Sequence, residues 1–321
     1  MQMNYHRGLL FWGLALITGG AVALAAQQGY LDRDLLAGAW RLWPVILVAV
    51  GLSIIVARTP FAIIGTIVAA LVVGTAGGAL IAVGPGVAAC GGPEPTDVAT
   101  RQGTFDSAAR VKLDFNCGTL AVAMSAGSQW KVASGQSGGS AAEISAASDR
   151  LDVSSHGTNS WFDGGRQRWS VSLPTATSYQ LEVDPNAAET KVDLHGGRFT
   201  LVSVQPNAGS LFLDLTDAQV DDLTVSVNAG SASIVVGAGL DMRASLHVNA
   251  GSIEVCTGTG VALQVTSDPN ITFSTNLDGS NLVKVGNSWS TANYADATKR
   301  VHIQLDGNAG SFTLNPEGGC S

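Results

Sequence analysis

The sequence predicts two parts of different class. An N-terminal α-helical membrane region of three helices is followed by an all-β C-terminal domain, β-solenoid-like, with 21-residue coils. Three observations carry that expectation. The first ninety residues contain three long runs almost free of charge; beyond Arg101 short apolar/polar alternations replace any helical period; and one short motif recurs at a fixed spacing of 21. Composition agrees. Of 321 residues 46% are hydrophobic and only 13% charged, whereas soluble domains carry about a quarter. A disordered chain needs the opposite balance. Residues 1–100 carry four basic and four acidic side chains, so the whole net charge of −8 sits in the remainder. An acidic exposed domain has no electrostatic reason to bind nucleic acid.

The membrane region is expected over residues 1–84. Gly8–Ala26 is uncharged and long enough to span hydrocarbon as a helix. Its length, and the apolar segments that follow, argue against a cleaved signal peptide. A second span is expected at 40–57, with Arg41 snorkelling to the interface, and a third at 61–83 after the Arg58-Thr59-Pro60 break. Tyr5, Tyr30, Trp40 and Trp43 suit the interface belts. Gly74 and Gly78 form one small-xxx-small pair, read as packing within the chain in preference to dimerisation. No ionisable group sits at membrane depth, so a pump or proton relay has nothing to work with. Loop charges are nearly balanced. The cysteine-containing, Ser/Thr/Gly-rich β sequence that follows looks exported and decides the orientation: N-terminus inside, C-terminal domain outside a bacterial cytoplasmic membrane.

Gly8-Leu9-Leu10-Phe11-Trp12-Gly13, then Gly19-Gly20, then Leu42-Trp43-Pro44-Val45-Ile46-Leu47 with Gly51, resembles the membrane region shared by LiaI- and LiaF-like envelope-stress proteins. The resemblance covers about residues 8–57.

Residues 85–103 are Gly/Pro-rich and read as a linker, and the β domain is expected over 104–321. Asn186, Asn207, Asn228, Asn249 and Asn270 stand 21 residues apart, and three of them open Asn-Ala-Gly-Ser. A period in the twenties is the mark of a solenoid coil. Six residues after each Asn come Val192, Leu213, Ile234 and Val255; sixteen after come Val202, Leu223, Ala244 and Val265. Each coil over 186–290 is therefore expected to hold two short strands with one inward face each, joined by Gly-rich corners. The small Ala at 187, 208, 229 and 250 is attributed to crowding between stacked corners. The Asn side chains are expected to form a structural hydrogen-bonded ladder, as in cross-β stacks. Asn116-Cys117-Gly118-Thr119 and Asn308-Ala309-Gly310-Ser311 repeat the motif out of phase and read as flanking coils or hairpins that cap the open ends.

The Ala-Gly-Ser steps after strands, with Leu173-Pro174 closing another, resemble the toast-rack β domain found behind such membrane regions. That resemblance covers about 104–315. It implies a non-catalytic β module.

Catalytic chemistry finds no place in the sequence. The five His lie far apart, no Cys-x-x-Cys occurs, and no nucleophile elbow or phosphate loop is present, so no metal or cofactor is expected. Asp193, Asp214, Asp217, Asp221 and Asp222 gather on one outward side with no basic column facing them, read as a solvated face before a weak calcium site. In Ser160–Trp169, the residues Trp161, Phe162, Arg166, Arg168 and Trp169 flank an Asp-Gly-Gly tip. Two readings stay open: a hairpin packed into the solenoid end, or a partner contact, since Trp and Arg are enriched at hot spots. All four cysteines, Cys90, Cys117, Cys256 and Cys320, follow the third span. Disulfides are expected there, with three connectivities open and Cys90–Cys320 with Cys117–Cys256 preferred. The resemblance implies a membrane-anchored accessory regulator of the envelope stress response, partnered by the lipid bilayer and a membrane histidine kinase or another envelope protein. The alternatives are a scaffold that self-associates through its solenoid, and a glycan-processing β-helix enzyme.

Overall fold

The computed structural model describes residues 7–27, 65, 67–75, 95, 98–136, 142–155, 166–268 and 274–320. The chain divides into two compact units, Met1–Gly92 and Pro93–Ser321, each described by itself.

In the first unit α1 runs over Arg7–Gln27. Its side chains are described for residues 11–22. Trp12, Leu16 and Ile17 point outward, 63–73% exposed, while the small Ala15 is buried. A Cβ at Gly74 would collide with the Ala15 carbonyl and with Thr18. The small residue therefore lets two helical segments of one chain approach closely, which is the intramolecular reading of that glycine. Among the described residues no helix is long and apolar enough to cross a membrane. The expected span at 40–57 and much of that at 61–83 lie outside the described residues.

The second unit is built from strands: β1 (Ala99–Thr104), β2 (Ala109–Ser125), β3 (Gln129–Gln136), β4 (Glu143–Ala147), β5 (Arg150–Ser154), β6 (Gln167–Pro174), β7 (Ser178–Asp193), β8 (Arg198–Val204), β9 (Ala208–Asp214) and β10 (Gln219–Val236). After these come β11 (Met242–Thr257), β12 (Leu263–Ser267), β13 (Ser274–Thr275), β14 (Val283–Val285), β15 (Ser288–Ser290) and β16 (Val301–Leu314).

Four residues pairing 21 apart dictate parallel stacking. Val192, Leu213, Ile234 and Val255 stand in register across β7, β9, β10 and β11. Val202, Leu223 and Ala244 do the same across β8, β10 and β11. All are at most 4% exposed, so each column fills the interior that its neighbours leave open. In β7, β10 and β11 the second strand of one coil runs through the Asn corner into the first strand of the next, giving one bent strand with a first and a second arm.

The corner is shaped by glycine. Gly209, Gly230 and Gly251 have φ of 113–156°, and a Cβ on any of them would strike the carbonyl oxygen of the preceding rung. Crowding therefore falls on the glycine column. Ala208, Ala229 and Ala250 are half-buried or exposed, which corrects the expectation that the alanines are small for lack of room.

The Asn116 and Asn308 motifs are flanking coils of the stack, where Cys117 pairs with Ala187 and Ala250 with Ala309; they do not cap it, since further strands lie beyond both. The strand order around them runs β5 and β6 beside β2, then β7, β8 with β9, β10, β11, β16, β12. Val265 consequently pairs with Ile303 of β16, and Ala244 takes the other side of Ile303. The regular 21-residue succession ends with β11, short of the expected 290, and Asn270 lies outside the described residues. At the other end β3, β4 and β1 add antiparallel strands, which close the stack differently from a continued coil.

Candidate functional site

The corners present a ladder on the surface. Asn186, Asn207, Asn228 and Asn249 each donate Nδ2 to the Oδ1 of the preceding rung, at 2.6–3.0 Å. The series begins at Asn116, and Asn308 adds a rung by donating to Asn249 at 3.0 Å. Asn249 also meets His247 Nε2 at 2.9 Å. All six amides point the same way, because parallel in-register strands repeat the same side-chain geometry at every rung.

The cysteines differ from the preferred pairing. Cys256 is bonded to Cys320, with Cα atoms 5.8 Å apart. Cys256 occupies the outward column of the second arm, beside Val235, and the tail after β16 folds back to reach it. Asn315, in the left-handed region at φ 48°, starts that return. Its backbone N–H donates to the Val255 carbonyl, and its Oδ1 accepts from the Thr257 backbone, each at 2.8 Å. Cys117 is also disulfide-bonded; Cys90 lies outside the described residues. A Cys90–Cys320 and Cys117–Cys256 set is thus excluded, since Cys320 and Cys256 hold each other.

The aromatic and arginine segment splits. Trp161 and Phe162 lie outside the described residues. Trp169 is 1% exposed and meets Phe115 edge-on, ring centroids 4.9 Å apart. It is core, because it stands in register with the inward Leu120; of the two readings left open for this segment, packing into the solenoid holds for Trp169 and partner contact does not. Arg168 is outward beside it and Arg166 half-buried, both with interactions of their own.

Two outward recesses flank the corners. On the second arm, Glu189, Lys191, Ser210, Phe212, Ser231 and Ser233 line about 410 Å³, walled by Cys320. The Lys191 ammonium sits 5.7 Å from the Phe212 ring centre. On the first arm, Asp222, Asp241, Arg243, Tyr294, Arg300 and His302 line about 480 Å³. Arg243 grips Asp222 through Nε at 2.8 Å and a terminal nitrogen at 3.1 Å. That hydrogen bond, ahead of simple attraction, holds the Asp222 carboxyl below its usual range. Arg300 lies over Tyr294 at 5.6 Å and donates to the Ala295 and Ala297 carbonyls.

The acidic column is therefore not unopposed: Arg243 stands one rung from Asp222. The signal was present, since residues 222 and 243 are 21 apart. Asp193 and Asp214 are spent on local turns, accepting from the backbones of His195 and Thr216. Among the described residues no three His, Cys, Asp or Glu side chains gather as a metal site. What both recesses offer is hydrogen bonding and charge, the chemistry of a contact surface.

Two family models match the chain. One is the LiaI-LiaF-like transmembrane region, over residues 10–55; the other is the N-terminal domain of toast-rack, over residues 97–237. Among solved structures, a candidate cell adhesion protein from Clostridium sporogenes is 10% identical, with 68% of this chain and 99% of that one covered and a TM-score of 0.47. A candidate adhesin from Bacteroides fragilis is 9% identical, with 70% and 100% covered and a TM-score of 0.27. Likenesses this distant carry no functional information. No curated protein matches the chain. The chain thus joins a LiaI-LiaF-like transmembrane region to a toast-rack N-terminal domain in one membrane-associated polypeptide.

Proposed function

We propose that this protein is a non-catalytic accessory regulator of a bacterial cell-envelope stress response. It is anchored in the cytoplasmic membrane by three helices and displays its β domain outside, where it tunes a membrane histidine kinase or another envelope protein. The observation that carries the reading is the union of the two matched regions in one chain. Other features support it. The uncharged runs at 8–26, 40–57 and 61–83 suit a multi-pass anchor, and the outward Trp12, Leu16 and Ile17 of α1 suit lipid. A disulfide between Cys256 and Cys320 suits an oxidising compartment. Among the described residues, the outward hydrogen bonds, ion pairs and aromatic contacts suit binding.

Two experiments test it. Alkaline phosphatase fused after Thr100 is expected to be active, and an inactive reporter would refute the orientation. Affinity purification of the native protein from solubilised membranes is expected to bring down a sensor kinase. Recovery of self-polymers alone would replace regulation by scaffolding, and turnover of cell-wall glycan by the purified chain would replace it by catalysis.

A further inference from the structure

One rung of the stack comes from a distant part of the chain. From β7 to β11 the successive rungs are joined by the short segments 194–197, 215–218 and 237–241. β16 fills the rung beside β11, yet residues 258–300 separate the two. β12, which follows β11 in sequence, is displaced to the far side of β16. Where a turn is missing, a disulfide stands: Cys256 near the end of β11 is bonded to Cys320, just past β16.

Nothing in the slot between β11 and β12 depends on which copy of the chain supplies the strand. β16 pairs with β11 from Val301 to Leu314 and with β12 from Val301 to Leu305. Its inward Val301, Ile303, Leu305, Phe312 and Leu314 are at most 4% exposed. An empty slot would thus uncover a core column, whereas the same strand from a second copy would restore every pairing. Exchange of an identical element between copies costs little beyond association. Connectivity alone selects the strand of the same chain: the backbone of residues 258–300 is a long tether, and the bridge adds a second, short one past the other end of β16.

We propose that Cys256–Cys320 is a latch, and that once it is open the slot accepts β16 of a second copy, giving a strand-exchanged dimer. Opening takes two electrons and two protons from a dithiol. The Sγ–Sγ bond breaks, Cys256 and Cys320 become thiols, and the dithiol closes to its own disulfide. The inference stands apart from the regulatory reading, since it needs no kinase.

Ser252 and Ser311 provide the test, because they pair in register across β11 and β16. Adjacent strands lie about 4.8 Å apart, within the Cα range of a disulfide. Differently tagged full-length chains, one S252C and one S311C, both carrying C256S/C320S, are mixed in detergent micelles, oxidised, and mapped by peptide mass. A 252–311 link between the two tags is expected, increasing with protein concentration, and it is expected to vanish when Cys256 and Cys320 are kept bridged. A single chain carrying both S252C and S311C reports whether β16 is still seated. If that chain cross-links internally while the mixture does not, the proposal is overturned. An equal link with the bridge closed overturns it too. If the internal link is lost both in C256S/C320S and in C256V/C320A, the bridge is a structural necessity and no latch.

Discussion

Replacing Thr190 by valine is expected to stabilise the β domain. Thr190 is 2% exposed and stands in an inward column with Leu120 on one side and Leu211 on the other. Its Oγ1 has no hydrogen-bond partner. A buried hydroxyl left unpaired forfeits its hydration, a cost of about 1–3 kcal/mol. Valine has nearly the same shape, keeps the β-branch that suits a strand, and removes the cost. For a domain of this size each kcal/mol moves the melting temperature by about 2–4 °C, so the middle of the range corresponds to a rise of roughly 4–8 °C. Circular dichroism melts of the solubilised, disulfide-intact chain measure it, with Thr190→Ser as the control that keeps the hydroxyl and loses the methyl. Serine should melt below the parent. A valine variant that melts at or below the parent would show that the hydroxyl has a partner, and the reasoning from an unpaired group would fail.

Three more outcomes follow from the same geometry. Ile234→Asp places an unpaired carboxylate in a column only 1% exposed and should cost about 3–5 kcal/mol or unfold the domain. Ser231→Asp, on the exposed corner, should stay within about 0.5 kcal/mol; equal effects on melting would put the coil register in error. Asn228→Ala removes one donated and one accepted rung bond and should cost about 1–2 kcal/mol. Asn116→Ala removes one rung bond and should cost about half as much; urea titrations compare the two. Glu182 accepts from Lys112 at 2.8 Å and from Arg110 at 3.0 Å. Those bonds, Lys112 first, hold its carboxyl below the usual range. Its contribution is therefore complete above the unfolded carboxylate value of about 4.3 and is lost as pH falls through the lower folded value. Glu182→Gln should flatten the acid side of a melting-temperature profile. Neighbouring Asp184 runs the other way: burial raises its pKa, so its contribution is present at low pH and lost as pH rises through the raised value. Asp184→Asn should help the fold most near neutrality.

Much of the β domain was legible because parallel in-register strands translate spatial stacking into arithmetic. Columns such as Val192, Leu213, Ile234 and Val255 could be written down from a fixed step of 21, and so could the ladder from Asn186 to Asn249. The step fails where the chain leaves the stack. A count that continues past Val255 puts Val265 beside Ala244, because nothing local announces that Ile303 comes between them. Asn116 and Asn308 carried the right motif in the wrong phase, and phase is what an insertion destroys. Trp169 stayed undecided for another reason. Its Trp-and-Arg neighbourhood suited a contact patch as well as core packing; alternation in β6 sends Arg168 outward and Trp169 inward, and that register is set by pairing with β2. The cysteine pairing was beyond the sequence because it depends on the path of the tail after Leu314. The Arg243–Asp222 pair was within reach of the same arithmetic that found the core.

The rung that β16 supplies also orders events in time. A chain that emerges from its N-terminus presents β7, β8, β9, β10 and β11 in the sequence in which they stack, so each can dock on a neighbour already in place. β11 then waits with a bare edge until residues 301–314 have emerged, and β12 cannot take its own place before that. Contacts between distant stretches of chain are slow to form, and an unpaired edge is open to wrong partners meanwhile. Closure of the stack is thereby coupled to the arrival of residues 301–314. A chain truncated before Val301 would carry nearly all of the repeat and still lack its closing piece.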